Sequence, residues 1–178
     1  ELFPEVFYDS RGYFYETWNS EKFNSTLGEK IEFVQDNQSQ SSKNVLRGMH
    51  YQINPKGQGK LVKVVQGNVL DVLVDLRSLS KTFGQWAAVE LNDKKQNQLW
   101  IPIGFAHGFL TISEFAILQY KVTEFWNPEY ERCLIWNDKK INITWNKFTS
   151  EQKDLFISQK DKKGSSLEEL KYNNDLFL

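Results

Sequence analysis

Residues 60–76 read Lys60-Leu61-Val62-Lys63-Val64-Val65-Gln66-Gly67-Asn68-Val69-Leu70-Asp71-Val72-Leu73-Val74-Asp75-Leu76. Valine and leucine dominate both halves, and β-branched residues of this kind favour a pleated backbone. One interruption, Gln66-Gly67-Asn68, carries turn chemistry. Two β-rich runs about a Gly-Asn turn predict a hairpin.

Working outward, extended segments are expected at Ile31–Asp36, Trp86–Leu91, Gln98–Ile101, Gly108–Thr111, Ala116–Val122 and Cys133–Trp136. Turn clusters separate them at short, fairly regular spacing, the pattern of a β-sandwich or barrel. Near the start, Asp9-Ser10-Arg11-Gly12 is a turn signal between two extended pieces. Helical signals are few: Asn19–Leu27 with Ser20 as its cap, then Ser150–Leu155 and Ser166–Tyr172. The chain therefore reads as all-β with short peripheral helices, mainly at the C-terminus. Its 178 residues suit a single domain (1–178), with a C-terminal helical extension from about 147.

Composition narrows the function. Twenty-two Lys and Arg against 23 Asp and Glu leave a formal charge of −1, which argues against a nucleic-acid-coating protein. Aromatics reach 15%, suiting pleated faces or a site that stacks on a planar ligand. The single cysteine, Cys133, excludes an internal disulfide and points to a reducing compartment, so a cytoplasmic location is expected. Glu1, Glu5, Asp9 and Arg11 interrupt the start before any leader-like apolar run forms. The longest uncharged stretch, Gln96–Ser113, is broken by Pro102, Gly104, His107 and Gly108, so no membrane-spanning segment is expected.

Only two histidines occur, His50 in Arg47-Gly48-Met49-His50-Tyr51-Gln52 and His107 in Pro102-Ile103-Gly104-Phe105-Ala106-His107-Gly108. A histidine is more often structural than catalytic, yet each follows a glycine among strand formers, where a barrel wall can aim the imidazole inward. The Pro-x-Gly-x-x-His spacing is similar to the second metal motif of cupin barrels. The first such motif carries His-x-His, and here Gln52 takes the second position. Two histidines without a placed carboxylate are a poor transition-metal set, so no metal is expected. Cys133 sits in an apolar run without a marked partner, as a small core residue would. No nucleophile elbow or glycine-rich phosphate loop occurs; scattered Arg11, Arg47 and Lys60 remain as anion binders. Lys60, at the mouth of its apolar run, can hold charge on a developing oxyanion or can be a plain strand-end lysine.

Taken together, these motifs resemble the dTDP-4-dehydrorhamnose 3,5-epimerase family. The resemblance runs from Phe3 to Trp145 and rests on Asp9-Ser10-Arg11-Gly12 with Glu16, Phe33-Val34-Gln35-Asp36-Asn37, Arg47 to Gln52, Gln58-Gly59-Lys60-Leu61-Val62, Asp71-Val72 with Val74-Asp75-Leu76-Arg77, Thr82-Phe83-Gly84, Pro102 to Phe109, Tyr120-Lys121 and Trp136-Asn137-Asp138. It implies a cupin-like jelly-roll homodimer that uses no cofactor and acts on a dTDP-4-keto-6-deoxyhexose. By that resemblance His50 is the base, Asp161 orients it, Lys60 steadies the enolate and Tyr120 is the acid. Arg11, Glu16, Gln35, Asp36, Asn37, Arg47, Lys60, His107, Glu131 and Lys160 fall where the family contacts nucleotide or sugar. Departures are Gln38 for a histidine, Met49 for a leucine, Trp126 for a tyrosine, Arg132-Cys133 where a glycine is usual, and a longer segment at 147–158. Alternatives are a carbon-3-only epimerase, a keto-isomerase, a silent sugar-binding jelly roll and a metal cupin.

Overall fold

The computed structural model describes residues 1–145, 148 and 155–178. In chain order its elements are β1 (Phe7–Asp9), β2 (Gly12–Phe14), α1 (Ser20–Leu27), β3 (Gln35–Ser42), β4 (Val45–Gln52), β5 (Lys60–Gln66), β6 (Asn68–Asp75), β7 (Trp86–Asn92), β8 (Gln98–Ile101), β9 (Phe105–Thr111), β10 (Phe115–Val122), β11 (Glu131–Cys133), β12 (Phe156–Ile157), α2 (Gln159–Lys162) and α3 (Leu167–Tyr172). The strands form two facing sheets, β3-β10-β5-β8 and β11-β4-β9-β6-β7, with β12 added parallel to β4 and a separate β1-β2 hairpin. This is the mostly β, cupin-like fold that the sequence leads one to expect.

Gly67 does not close a hairpin. β5 pairs with β10 and β8, whereas β6 pairs with β7 and β9, so the chain changes sheets at this residue. Gly67 has φ 89°, and a Cβ there would stand 2.3 Å from the Phe115 carbonyl oxygen. Only glycine passes this corner without displacing β10. β6 is buried on both faces, and such strands read as continuous apolar runs.

Those two faces belong to two cores. Val69 faces the opposite sheet, among Val62, Val64, Leu91, Leu99, Ile101, Phe109 and Leu118. Leu70, Val72 and Val74 face outward onto a second layer formed by Ile141, Ile143, Trp145, Leu167, Leu170 and Phe177. These residues from near the C-terminus cover the back of the larger sheet, and Trp145 is completely buried.

Other expectations shift in detail. Strand β3 begins at Gln35 and runs to Ser42, later than the expected Ile31–Asp36. Its all-polar sequence hides it, since one side faces a cavity lined by polar side chains and the other the surface. β11 ends at Cys133, after which Leu134 bridges to Ser165. Helix α1 is capped by Asn19, not Ser20: the Asn19 side chain accepts the N–H groups of Glu21 and Lys22, while Ser20 is already helical. Ser166 caps α3 in a reciprocal box with Glu169. The expected helix Ser150–Leu155 falls, apart from Leu155, outside the described residues.

Candidate active site

Between the sheets lies a cavity of about 790 Å³, lined from both sides. Alternation along β3 turns Gln35, Asn37 and Ser39 toward it and sends Asp36 to the outer face, where Asp36 pairs with Lys121. Tyr120 stands opposite Asn37 and Val62, and Lys60 opposite Val122 and Ile101, so both enter from the smaller sheet. His50, His107 and Glu131 enter from the larger sheet.

His50 owes its place to two glycines. A Cβ at Gly48 would lie 2.5 Å from the Gly108 Cα, and one at Gly108 would lie 2.6 Å from the Arg47 carbonyl oxygen. Without side chains, β4 and β9 close together there, the register shifts between Arg47 and His50, and His50 comes to face His107. Gly48 also has φ 125°, a conformation that L side chains resist.

Asp161 arrives from the far end of the sequence. β12 pairs with Val45 and Leu46 of β4, and Ser158 then caps α2, which holds Asp161 in its first turn. The carboxylate is 3% exposed. Its Oδ1 lies 2.7 Å from His50 Nε2, and its Oδ2 accepts the Gly48 N–H at 3.2 Å. Burial works against ionisation of Asp161, but the His50 hydrogen bond and charge, Gly48 and Ser158 outweigh it and hold the carboxyl below its ordinary pKa. An ionised Asp161 fixes the proton of neutral His50 on Nε2, which leaves the Nδ1 lone pair free to accept a proton.

Lys60 is buried and donates to the His50 carbonyl oxygen at 3.1 Å. Burial lowers its pKa to about 8, against the pull of Asp71 and Glu131 toward the charged form. Burial likewise raises the Tyr120 hydroxyl, with Arg47 opposing and Glu131 adding to the rise. Tyr120 is therefore a neutral proton donor at pH 7, facing the wall that carries the imidazole.

The remaining polar residues frame this group. Arg47 donates to Ser41 Oγ at 2.9 Å and to the Gln40 carbonyl. Lys160 pairs with Glu131 at the rim. His107 Nε2 lies 2.9 Å from Asp71 Oδ2, with both residues buried. Asp71 belongs to one of the motifs that carry the resemblance but is not among the expected site residues, although a carboxylate between Leu70 and Val72 in an apolar run is itself a signal. Ser39, Gln58 and Trp126 also line the cavity without having been singled out as site residues.

Three expected contacts lie elsewhere in this chain. Asp36 is on the outer face. Arg11 sits in the turn between β1 and β2, pairs with Asp9 and is exposed. Glu16 pairs with Lys22 of α1. Neither Arg11 nor Glu16 lines the cavity. Among the described residues, the one cluster of metal-ligating type is His50, Cys133 and Asp161.

Comparison with known proteins fits this geometry. The family model described as dTDP-4-dehydrorhamnose 3,5-epimerase matches residues 1–169. The dTDP-4-dehydrorhamnose 3,5-epimerase of Pseudomonas aeruginosa is 48% identical over 92% of this chain and 87% of its own. A crystal structure of dTDP-6-deoxy-D-glucose-3,5-epimerase from Legionella pneumophila, in complex with dTDP-4-keto-L-rhamnose, superposes with TM-score 0.90 at 41% identity, covering 98% of this chain and 89% of that one. A 3'-monoepimerase from Streptomyces bikiniensis, in complex with dTDP-quinovose, reaches the same TM-score at 28% identity over 98% and 86%. The chain is an enzyme of the dTDP-4-dehydrorhamnose 3,5-epimerase family.

Proposed function

We propose that the cavity epimerises carbons 3 and 5 of a dTDP-4-keto-6-deoxyhexose, with His50 as base and Tyr120 as acid. The observation that carries this reading is the placement of the Asp161-held imidazole and of Tyr120 on opposite walls of one cavity. A ketone at carbon 4 acidifies the hydrogens on both neighbouring carbons. Inversion then needs a base on one face of the ring, an acid on the other and a cation for the enolate between them. His50 Nδ1 removes the proton, Lys60 holds the enolate oxygen, and Tyr120 returns a proton from the far side. Arg47, His107, Gln35, Asn37, Glu131 and Lys160 bind the diphosphate, sugar and base around that centre. The sequence needs no redox step, because the carbon loses and regains a proton without change of oxidation level.

Incubation with the 4-keto sugar nucleotide in heavy water, followed by proton NMR, tests this. Exchange with inversion at carbons 3 and 5 is expected. Exchange confined to carbon 3 would assign a monoepimerase, and no exchange at either carbon would overturn the reading.

The homodimer belongs to the same proposal. Phe7, Tyr8, Tyr13 and Phe14 on the β1-β2 hairpin are all more than half exposed, an apolar patch that marks an interaction surface. Arg11 in the turn of that hairpin and Glu16 just after it lie away from this chain's own cavity and would bind substrate only across an interface. Sedimentation of the wild type against Phe7→Ser/Phe14→Ser tests this: a dimer converted to monomer is expected, and a monomeric wild type would overturn it.

A further inference from the structure

Beside the His50–Asp161 pair stands a thiol. β11 lays Cys133 directly across from His50, so both side chains leave the sheet on one face. The ligating atoms of His50, Cys133 and Asp161 all lie within 4.8 Å of one another. A nitrogen, a sulfur and a carboxylate oxygen thus converge from β4, β11 and α2. The epimerisation has no use for the sulfur, whose polar contact is a 3.6 Å approach to the neighbouring Leu134 carbonyl. Burial, with the charge of Asp161 adding to it, pushes the thiol up to about 12, so the unliganded sulfur is a protonated bystander.

We propose that His50, Cys133 and Asp161 form a binding site for a thiophilic divalent cation, Zn²⁺ or Cd²⁺, and that the bound cation inhibits the enzyme by capturing its base. Zinc–ligand bonds of about 2.0–2.3 Å place tetrahedral ligands roughly 3.3–3.6 Å apart. The His50–Asp161 contact, 2.7 Å in this structure, has to open by under about 1 Å, and the sulfur has to approach by a similar distance. The fourth position faces the cavity and takes water. Thiolate and carboxylate together neutralise the dication, so the loaded site is neutral where the empty one carries the single charge of Asp161.

The Cys133 S–H bond breaks, its proton leaves to solvent, and a sulfur–metal bond forms. The proton on His50 Nε2 is lost and one is taken up at Nδ1, freeing the Nε2 lone pair for the metal. No electron changes hands. His50 Nδ1 then carries a hydrogen and has no lone pair for substrate. This inhibition rests on the reading of His50 as the base; the binding itself does not.

Titrating the protein with Cd²⁺ tests the site directly. An ultraviolet thiolate-to-metal charge-transfer band saturating at one cation per chain is expected. It should vanish in Cys133→Ser, and His50→Gln should weaken the affinity about tenfold or more. In turnover assays Zn²⁺ should inhibit the wild type reversibly, with EDTA restoring the rate. Cys133→Ser should need about tenfold more Zn²⁺ or beyond, measured against its own metal-free rate. Cys133→Ala serves the same purpose should the serine variant fold poorly. No band in the wild type, or equal Zn²⁺ sensitivity in the cysteine variants, overturns the metal site and leaves His50 untouched. A saturated band that His50→Gln weakens, with full turnover at that level of cation, overturns base capture and removes His50 from the mechanism; full turnover with a band that His50→Gln leaves unchanged overturns the three-ligand site instead.

Discussion

Asp161 Oδ1 lies 2.7 Å from His50 Nε2 across 111 positions of sequence, and the same carboxylate also accepts the Gly48 N–H through its other oxygen. One side chain therefore fixes the tautomer of the imidazole and anchors the strand that carries it. Asp161→Asn removes the charge and can turn an N–H toward the ring, so the wrong nitrogen keeps the lone pair. We expect kcat to fall by about 10²–10⁴ with KM nearly unchanged. Steady-state kinetics check this; an unchanged kcat would reduce Asp161 to a structural residue.

With Tyr120 proposed as the acid, its loss should separate the two halves of an inversion. With Tyr120→Phe, His50 still forms the enolate and can return a solvent proton to the original face. Deuterium wash-in should then outpace inversion, most visibly at carbon 5. A tyrosine that merely packs its ring would let both rates fall together or leave both alone. Measuring exchange and inversion on one sample decides, and a ratio equal to wild type would remove Tyr120 from the mechanism.

Lys60 sets an alkaline limit. In the proposed mechanism its charged form steadies the enolate, and burial has brought its pKa down to about 8. The ammonium is present below that value and is lost as pH rises through it, so kcat should decline on the alkaline side near pH 8. Asp71 supports the charged form, and Asp71→Asn should move that limb to lower pH. Lys60→Met should lower kcat by about two orders of magnitude or more, with a modest change in KM. A change confined to KM would place Lys60 with the diphosphate ligands.

The β4–β9 contact predicts a stability cost at a cavity-wall position that carries no reacting group. A methyl at residue 108 meets the Arg47 carbonyl oxygen at 2.6 Å and the Met49 sulfur at 2.7 Å. Backbone cannot yield there without separating the strands that carry His50 and His107. Gly108→Ala should therefore destabilise the fold by about 2–4 kcal/mol and also lower kcat. Chemical denaturation and kinetics on the same variant test both; a stable, fully active variant would show that the strands do not depend on this contact.

The sequence by itself determined the fold class, the runs of β-rich residues and the identity of the chemistry-bearing side chains. Those properties are local. Valine-rich runs favour pleated backbone wherever they lie, and a chain with two histidines has few bases to choose from. Gly67 marks the boundary of that legibility. A turn glycine between two strands is visible in the sequence, but whether they pair with each other or join different sheets is not. That depends on which remote strands take their edges, here β10 and β8 for one, and β7 and β9 for the other.

Strand β3 was obscured for the opposite reason. Polar residues from Gln35 to Ser42 carry little apolar alternation, and their alignment comes from pairing with all of β10. That pairing also decides which side of the sheet each residue serves, turning Asn37 inward and Asp36 outward. Arg11 and Glu16 carry the family's residue types, yet the fold of one chain holds them on its surface. His50, Lys60, Tyr120 and Asp161 could each be named from sequence patterns and family resemblance. Their joint geometry could not, because it arises from long-range pairing: Gly48 against Gly108, β12 beside β4, and two sheets facing across a cavity. Tertiary structure alone brings a carboxylate near the C-terminus within hydrogen-bond reach of His50, where burial and the imidazole set its charge.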